Sequence, residues 1–153
     1  MFSQTTEYAL RAMALLAYAP GQLVPTTTIA EESKVPPTYL AKVLQMLASA
    51  ELIVGRRGVG GGYKLAKPAS DIKMLDVINA VEPVRRITSC PLGLTDHGVN
   101  LCPLHRRMDL AAKQIIELFD GIALADLVGP TRGSRPLCDK AKAARVTLSI
   151  STK

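Results

Sequence analysis

The segment that most restricts how this chain can fold is a glycine-rich stretch between two short runs of strand-like residues. The flanking residues are β-branched in one run and alternate in the other, as is typical of strands. Glycine lacks a Cβ, so it allows positive φ and close approach of another backbone. We therefore predict a two-stranded hairpin with a basic, glycine-lined tip. Its parts are Leu52-Ile53-Val54, Gly55, Arg56-Arg57, Gly58-Val59-Gly60-Gly61-Gly62 and Tyr63-Lys64-Leu65.

Three helices are predicted before this hairpin. Apolar residues at helical spacing cover residues 5–18, and Pro20-Gly21 ends that helix. Thr28 and Glu31 have capping-box spacing, which predicts a short second helix through Lys34. Pro37 suits the first turn of a third helix, because its missing N–H would have no partner there.

The third helix is predicted to have one apolar face and one polar face. Its apolar residues follow the i, i+3, i+4, i+7 pattern of a core-facing stripe, namely Leu40, Val43, Leu44 and Leu47. The opposite face offers a hydroxyl, an aromatic ring, a base and an amide: Thr38, Tyr39, Lys42 and Gln45. On the second helix of a helix-turn-helix such a face suits reading of a DNA major groove. The alternative is an ordinary solvated face.

Helix, helix-turn-helix and hairpin in this order predict a winged helix. We expect Arg57, helped by Arg56, to enter a narrow minor groove. We expect Lys64 and the backbone amides of Gly58, Gly60 and Gly61 to contact phosphates. The alternative is a flexible hairpin without a ligand.

A further amphipathic helix is predicted over residues 71–82, followed by a loop without periodicity. Beyond the loop, apolar residues spaced 4, 3, 4 and 3 predict a helix over residues 103–119 that pairs with a second copy. Burial against the chain's own first helix is the competing explanation. The seam consists of Leu104, Met108, Ala111, Ile115 and Leu118, and a brief final helix is predicted over Leu124–Val128.

The expected organisation is therefore mainly α with a small β-hairpin. Residues 1–82 form a winged helix-turn-helix, 83–102 a cysteine-containing loop, 103–129 a dimerisation helix with the short final helix, and 130–153 a basic tail. No apolar run reaches the roughly 18 residues of a membrane span and no secretion signal is visible, so we expect a cytoplasmic protein without membrane contact.

Charge favours a polyanionic partner. The net charge is +6, but residues 1–80 carry eight Lys/Arg against six Asp/Glu, whereas residues 130–153 carry six against one. The tail could attract DNA without sequence preference or could simply be solvated.

The cysteines suggest a second kind of chemistry. Cys90 and Cys102 are separated by eleven residues, and His105 follows in the sequence Cys-Pro-Leu-His. Thiolate and imidazole suit zinc, copper or an iron–sulfur centre, and Asp96 or His97 could add a ligand. A reversible disulfide or two buried thiols without chemistry are the alternatives. Cys138 is predicted to be an accessory thiol.

The chain resembles the IscR/NsrR/RirA/CymR type of bacterial winged-helix regulators, sometimes called Rrf-two. The resemblance covers about residues 1–129 and is carried by five motifs. They are Thr6-Glu7-Tyr8-Ala9-Leu10-Arg11, Tyr39-Leu40, Arg57-Gly58-Val59-Gly60-Gly61-Gly62-Tyr63, Asp76-Val77-Ile78 with Ala80-Val81-Glu82, and Cys102-Pro103-Leu104-His105.

The resemblance implies a homodimeric transcriptional regulator, usually a repressor, that binds double-stranded operator DNA. It implies sensing of iron–sulfur status, nitric oxide, iron or redox state through the loop. In cluster-binding members three evenly spaced cysteines hold the cluster; Cys90 and Cys102 match the outer two, whereas Asp96 stands at the middle position. Glu7 matches an acidic first-helix ligand of some members, and His105 matches a histidine ligand of others. A 2Fe-2S cluster, zinc or no cofactor are the options that this pattern leaves.

Two other classes of function are alternatives. A small metal or thiol enzyme could be built on Cys90, Cys102 and His105, but no Cys-x-x-Cys or His-Glu-x-x-His is present. A dimeric interaction module that has lost DNA binding conflicts with the retained Tyr39 and Arg57. We therefore expect a regulator and not an enzyme.

Overall fold

The chain folds into six α-helices and one β-hairpin within the part that the computed structural model describes, residues 2–94, 100–129 and 136–137. The mainly α winged-helix fold predicted above is confirmed. In chain order the elements are α1 (Gln4–Ala17), α2 (Thr26–Ser33), α3 (Pro37–Ser49), β1 (Ile53–Arg56), β2 (Gly62–Leu65), a 3-10 turn (Ala69–Asp71), α4 (Met74–Val81), α5 (Pro103–Asp120) and α6 (Leu124–Val128).

Helix α1 is the centre of the hydrophobic core. Its N-terminus is capped by Ser3, whose hydroxyl accepts a hydrogen bond of 3.2 Å from the Thr6 N–H. Ala12, Met13 and Leu16 are fully buried. The helix contacts α2, α3, α4, α6 and β2, so these elements are arranged around it.

The turn between α2 and α3 has the predicted character. Lys34, the C-cap residue of α2, takes the left-handed conformation with φ of 53°. Pro37 is the first residue of α3. All four residues of the predicted stripe are buried. The apolar face of α3 therefore anchors it in the core and leaves its other face to solvent. The stripe consists of Leu40, Val43, Leu44 and Leu47.

The predicted capping box of α2 is wrong. Pro25 is the N-cap residue, since its carbonyl accepts a hydrogen bond of 3.0 Å from the Ile29 N–H, and no side chain caps the helix. Thr28 consequently lies inside the first turn, where it cannot act as a cap. The fixed φ of Pro25, −57°, prepares the chain for a helical start three residues before the predicted position.

The hairpin is antiparallel and pairs Ile53 with Leu65 and Arg56 with Gly62. The first strand begins one residue later than predicted, because the Leu52 N–H donates to the Leu47 carbonyl at 3.0 Å and completes the turn after α3. Val24, outside the strands, pairs with Tyr63 through hydrogen bonds of 2.8 and 2.9 Å. The hairpin is therefore held on one edge by the segment leading into α2.

Helix α4 is shorter than the predicted residues 71–82. The Asp76 carboxylate accepts a hydrogen bond of 2.9 Å from the Lys73 N–H, which makes Met74 the first helical residue. The preceding residues form the 3-10 turn and the buried Ile72.

The C-terminal end of α5 is joined to the start of α4. The Met74 N–H donates to the Ile122 carbonyl at 2.9 Å, and the Leu124 N–H donates to the Ile72 carbonyl at 2.7 Å. The Lys73 ammonium contacts the Asp120 carboxylate at 2.8 Å. Leu124, at the start of α6, is fully buried and fixes this junction in the core.

The apolar seam of α5 is not covered by the described part of the chain. Leu104, Met108 and Leu118 are 65%, 52% and 61% exposed. Helix α1 does not bury them, which removes that explanation for the seam within one chain. Near its C-terminal end, α5 contacts the N-terminal segment through the rings of Phe2 and Phe119, whose centroids are 5.3 Å apart.

No helix among the described residues is long and apolar enough to cross a membrane.

Candidate DNA interface and cysteine loop

The outward face of α3 is available to a ligand. Thr38, Tyr39, Lys42 and Gln45 are all exposed, Tyr39 by 54%. None of the four makes a hydrogen bond or ion pair within the described part of the chain. The face that the sequence assigned to base reading therefore presents unpaired polar groups to solvent.

Tyr39 has an aromatic neighbour on α1. The ring of Tyr8 lies edge-to-face with it, with centroids 6.1 Å apart and planes at 68°. The Arg11 guanidinium lies 5.7 Å from the centroid of the Tyr8 ring and forms an ion pair with Glu7. One turn of α1 thus supports the exposed tyrosine of α3.

The tip of the wing is a tight turn that only glycines allow. Gly58 and Gly60 have φ of 89° and 69°. The Gly61 N–H donates to the Gly58 carbonyl at 2.9 Å, and a Cβ at Gly61 would lie 2.3 Å from the Arg56 carbonyl oxygen. The glycines therefore fix the shape of the tip, in addition to allowing close approach.

The two wing arginines have different environments. The Arg56 guanidinium donates to the Gly60 carbonyl at 2.9 Å and so closes the turn from inside. Arg57 is exposed and makes no hydrogen bond or ion pair with any described residue. Of the two, Arg57 is the side chain that can reach a ligand without disturbing the wing. Lys64, on β2, is half-buried.

A groove of about 610 Å³ separates the wing from the start of α2. Pro25, Thr26 and Thr27 line one side, and Arg57, Gly61 and Tyr63 line the other. The sequence patterns did not identify the first turn of α2 as part of this surface, because only the pairing of Val24 with Tyr63 brings it beside the wing.

The cysteine loop brings Cys102 and His105 together. Cys102 is the N-cap residue of α5, and its Sγ lies 3.4 Å from Nδ1 of His105. Cys90 is buried, and neither it nor Cys102 forms a disulfide. Asp96, His97 and Cys138 lie outside the described residues.

The donors of one chain do not amount to a metal centre within the described residues. No three histidine, cysteine or acidic side chains there are close enough to share an ion. Glu7, the first-helix ligand implied by the resemblance, is paired with Arg11. A 2Fe-2S cluster needs four ligands. The described residues of one chain do not supply four such ligands together.

The first half of the loop is attached to α4 and α5 by hydrogen bonds that the sequence patterns did not predict. The Val84 N–H donates to the Asn79 side-chain oxygen at 3.0 Å. The Asp109 carboxylate accepts two bonds of 2.6 Å from Arg86 and one of 2.9 Å from the Ile87 N–H. The bond from Arg86, together with that from the Ile87 amide, lowers the pKa of Asp109 to about 2.

A second attachment lies where α4 ends and the loop begins. The buried hydroxyl of Thr6 on α1 donates to the Glu82 carboxylate at 3.0 Å. The start of the loop is thus joined to α1 through Glu82 and to α5 through Arg86 and Ile87.

An apolar groove of about 390 Å³ lies between the C-terminal end of α4 and α5. Phe2, Ile78, Pro83, Ile115, Leu118 and Phe119 line it. The groove continues the exposed seam of α5, since Ile115 and Leu118 belong to both.

Comparison with known proteins identifies the chain. A family model described as Rrf2, iron-dependent transcriptional regulator, matches residues 2–130. The chain belongs to the Rrf2 family. A protein of Aquifex aeolicus (strain VF5), assigned to the HTH-type transcriptional regulators, is 31% identical over 131 residues, which cover 84% of this chain and 91% of that protein.

Solved structures of Rrf2 proteins have the same fold. CymR, the global cysteine regulator of B. subtilis, is 25% identical with a TM-score of 0.67, over 83% of this chain and 95% of that one. IscR of T. potens is 27% identical with a TM-score of 0.68, over 87% and 93%. This Rrf2 chain is a transcriptional regulator and not an enzyme, as the sequence predicted.

Proposed function

We propose that this Rrf2 protein is a homodimeric repressor that binds a pseudo-palindromic DNA operator. The observation that carries the proposal is that α3 and the hairpin packed against it both present exposed polar side chains that make no hydrogen bond or ion pair with a described residue. They are Tyr39 on the helix and Arg57 on the wing. In this proposal residues 1–82 bind DNA, residues 83–102 form the sensor loop, and residues 103–129 pair the two copies. The regulator acts in the cytoplasm, where the chromosome lies.

The exposed face of α5 supports pairing. Three large apolar side chains of the seam are more than half exposed, and the apolar groove beside α4 extends the surface. An exposed apolar surface of this extent on one helix is typical of an interface. Two antiparallel or crossed α5 helices would bury it and would give the molecule the two-fold symmetry of a palindromic site.

The two α3 helices of the dimer enter successive major grooves about one helical turn apart. Thr38, Tyr39 and Lys42 read or approach base edges, and Gln45 follows on the same face. The support is that all of them are exposed and that none makes a hydrogen bond or ion pair with a described residue.

The wing reaches the adjacent minor groove. Arg57 inserts there, while Arg56 holds the turn through Gly60 and stays close enough to add positive potential. Lys64 and the N–H groups of Gly58 and Gly60 contact phosphates, whereas the Gly61 N–H already donates to the Gly58 carbonyl at 2.9 Å.

We infer in addition that operator affinity responds to the chemical state of the loop, through a metal, an iron–sulfur cluster or thiol oxidation at Cys90 and Cys102. The support is the contact between Cys102 and His105 at the N-cap of the pairing helix α5. Because the described donors of one chain do not form a cluster site, a cluster-free thiol switch is the second candidate. A coupling of about 1–3 kcal/mol between loop and operator would suffice for regulation.

Selection of duplex DNA from a random library tests the DNA-binding proposal. The full-length protein is incubated with the library, and the bound duplexes are sequenced. The most enriched duplex is then used in fluorescence-anisotropy titrations. We expect a two-fold symmetric site bound by two chains, with affinity falling steeply as salt is raised. Recovery of no preferred sequence at moderate salt would contradict the proposal.

Anaerobic purification tests the sensor. Absorbance spectra and iron, sulfide and zinc analysis decide which centre is present. We expect the variant Cys90→Ser with Cys102→Ser to lack any visible chromophore and to bind the selected duplex equally under oxidising and reducing conditions. A double variant that responds like the wild type would exclude the loop as the sensor.

A further inference from the structure

The contact between Tyr8 and Tyr39 joins a residue that DNA cannot reach to one that it can. Tyr8 is 8% exposed and lies in the core, whereas Tyr39 is 54% exposed. Among the described residues, Tyr8 provides the aromatic ring that contacts Tyr39. The edge-to-face geometry, with 6.1 Å between centroids, is the preferred arrangement for two aromatic rings.

An exposed tyrosine near the start of a helix has several accessible rotamers, and binding must select one of them. A neighbour that already favours the binding rotamer reduces the entropy lost on association. Tyr39 is the third residue of α3, so its ring projects beside the N-terminal turn that enters a major groove. The side chain that restricts this ring would therefore affect recognition without touching DNA.

Tyr8 is itself held in place. Its side chain is packed in the hydrophobic core formed around α1. The Arg11 guanidinium lies 5.7 Å from its ring centroid, and the ion pair with Glu7 restricts Arg11 in turn. Such a fixed ring can orient a mobile one, whereas two mobile rings could not orient each other.

We propose that Tyr8 is a positioning residue for DNA recognition: it holds Tyr39 in the orientation that meets the base edges. The inference rests on the proposed function, in which Tyr39 contacts operator DNA. It adds that a buried residue of α1 contributes to sequence discrimination through α3.

A double-mutant cycle tests this role. The probe is the duplex selected by the wild-type protein, compared with a scrambled duplex of the same length. The variants are Tyr8→Leu, Tyr39→Ala and the two combined, with Tyr8→Phe as the matched control that keeps the ring. An edge-to-face pair of this kind corresponds to a change of about 2- to 10-fold in an equilibrium constant.

We expect Tyr8→Leu to weaken binding of the selected duplex by about 2- to 10-fold and to leave the scrambled duplex unchanged. Tyr8→Phe should bind both duplexes like the wild type. In the Tyr39→Ala background, Tyr8→Leu should cause no further loss, because its effect passes through the missing ring. An equal loss in both backgrounds, or an equal loss on both duplexes, would overturn the positioning role.

A second measurement guards against loss of folding. If Tyr8→Leu melts well below the wild type, Arg11→Met replaces it in the cycle, since it removes the guanidinium beside the Tyr8 ring at a half-buried position outside the core. Fluorotyrosine NMR of the free protein then reports whether the Tyr39 ring gains mobility, as we expect, or keeps its wild-type signal, which would overturn the inference. Should Tyr39→Ala alone bind the selected duplex like the wild type, the proposed DNA contact of Tyr39 fails, and this outcome is distinct from failure of the cycle.

Discussion

Replacing Gly62 with alanine tests whether the wing is held by the bridge between Val24 and Tyr63. A Cβ at Gly62 would lie 2.2 Å from the Val24 carbonyl oxygen, whereas real Cβ atoms essentially never approach closer than 3.0 Å. The two backbones would have to separate, and the hydrogen bonds of 2.8 and 2.9 Å between Val24 and Tyr63 would be lost. The φ of 150° at Gly62 is also one that L residues rarely adopt.

The expected cost can be worked from these contacts. Two hydrogen bonds contribute about 0.5–1.5 kcal/mol each. A residue forced into a sparsely populated backbone region costs about 1–3 kcal/mol. The free energy of unfolding of Gly62→Ala should therefore fall by about 2–6 kcal/mol. At about 2–4 °C per kcal/mol for a protein of this size, the melting temperature should fall by roughly 5–20 °C.

Thermal unfolding followed by circular dichroism measures this change. Gly121→Ala is the matched control, because nothing lies within 4 Å of a Cβ there and its φ is −83°. It should melt at or slightly above the wild-type temperature. Gly58→Ala, with open space but a φ of 89°, should fall between the two. If Gly62→Ala and Gly121→Ala have the same melting temperature, the pairing of Val24 with Tyr63 does not hold the wing.

Three further predictions concern the interface, the seam and the loop. Arg57→Ala should weaken operator binding by about 1–3 kcal/mol and relax the preference for A/T positions, which a repeated selection measures. Arg56→Ala, which opens the wing turn, should weaken binding of all duplexes to the same extent. If Arg57→Ala also causes such a uniform loss, Arg57 contacts only phosphate. Leu118→Asp should convert the dimer to monomers in sedimentation experiments while the exposed Lys113→Gln stays dimeric, and a dimeric Leu118→Asp would place the interface elsewhere. The pKa of Asp109 is lowered from 3.8 to about 2, chiefly by the hydrogen bond from the loop guanidinium, so its stabilisation is present above about pH 4 and is lost as the pH falls towards 2. The amides of residues 84–87 should therefore exchange faster with solvent as the pH falls through this range, relative to their intrinsic rates. Asp109→Asn should show no such pH dependence. Identical pH profiles for the two proteins would mean that the ion pair does not hold the loop.

Local patterns were enough to predict α3, the helix that carries the residues proposed to read DNA. The stripe of Leu40, Val43, Leu44 and Leu47 repeats with the period of a helix, and Pro37 marks its start, so both could be predicted from neighbouring residues alone. The exposure of Tyr39 follows from the same period, because the apolar face fixes which residues point outward.

The sequence did not predict features that depend on the preceding turn or on a residue far away in the chain. Pro25, not Thr28, starts α2, since the proline carbonyl already accepts the first helical bond. Gly62 looks like one of several interchangeable glycines in the sequence, yet its place against Val24 depends on a pairing between segments far apart in the chain. The bond between Arg86 and Asp109 likewise joins residues 23 positions apart without any periodic signal.

The attachments of α5 suggest how a change in the loop would reach α3. The C-terminal end of α5 is fixed to the start of α4 by backbone bonds and by the buried Leu124. Its N-terminal half is joined to the DNA-binding unit through the loop, by Asp109 and by the hydrogen bonds that hold Val84 and Glu82. Chemistry at Cys102 would therefore act on the looser end of a helix whose other end is anchored. Under the proposed function we expect the two α3 helices of the dimer to rotate about the Leu124 junction, because backbone hydrogen bonds and core packing hold α5 and α4 together there.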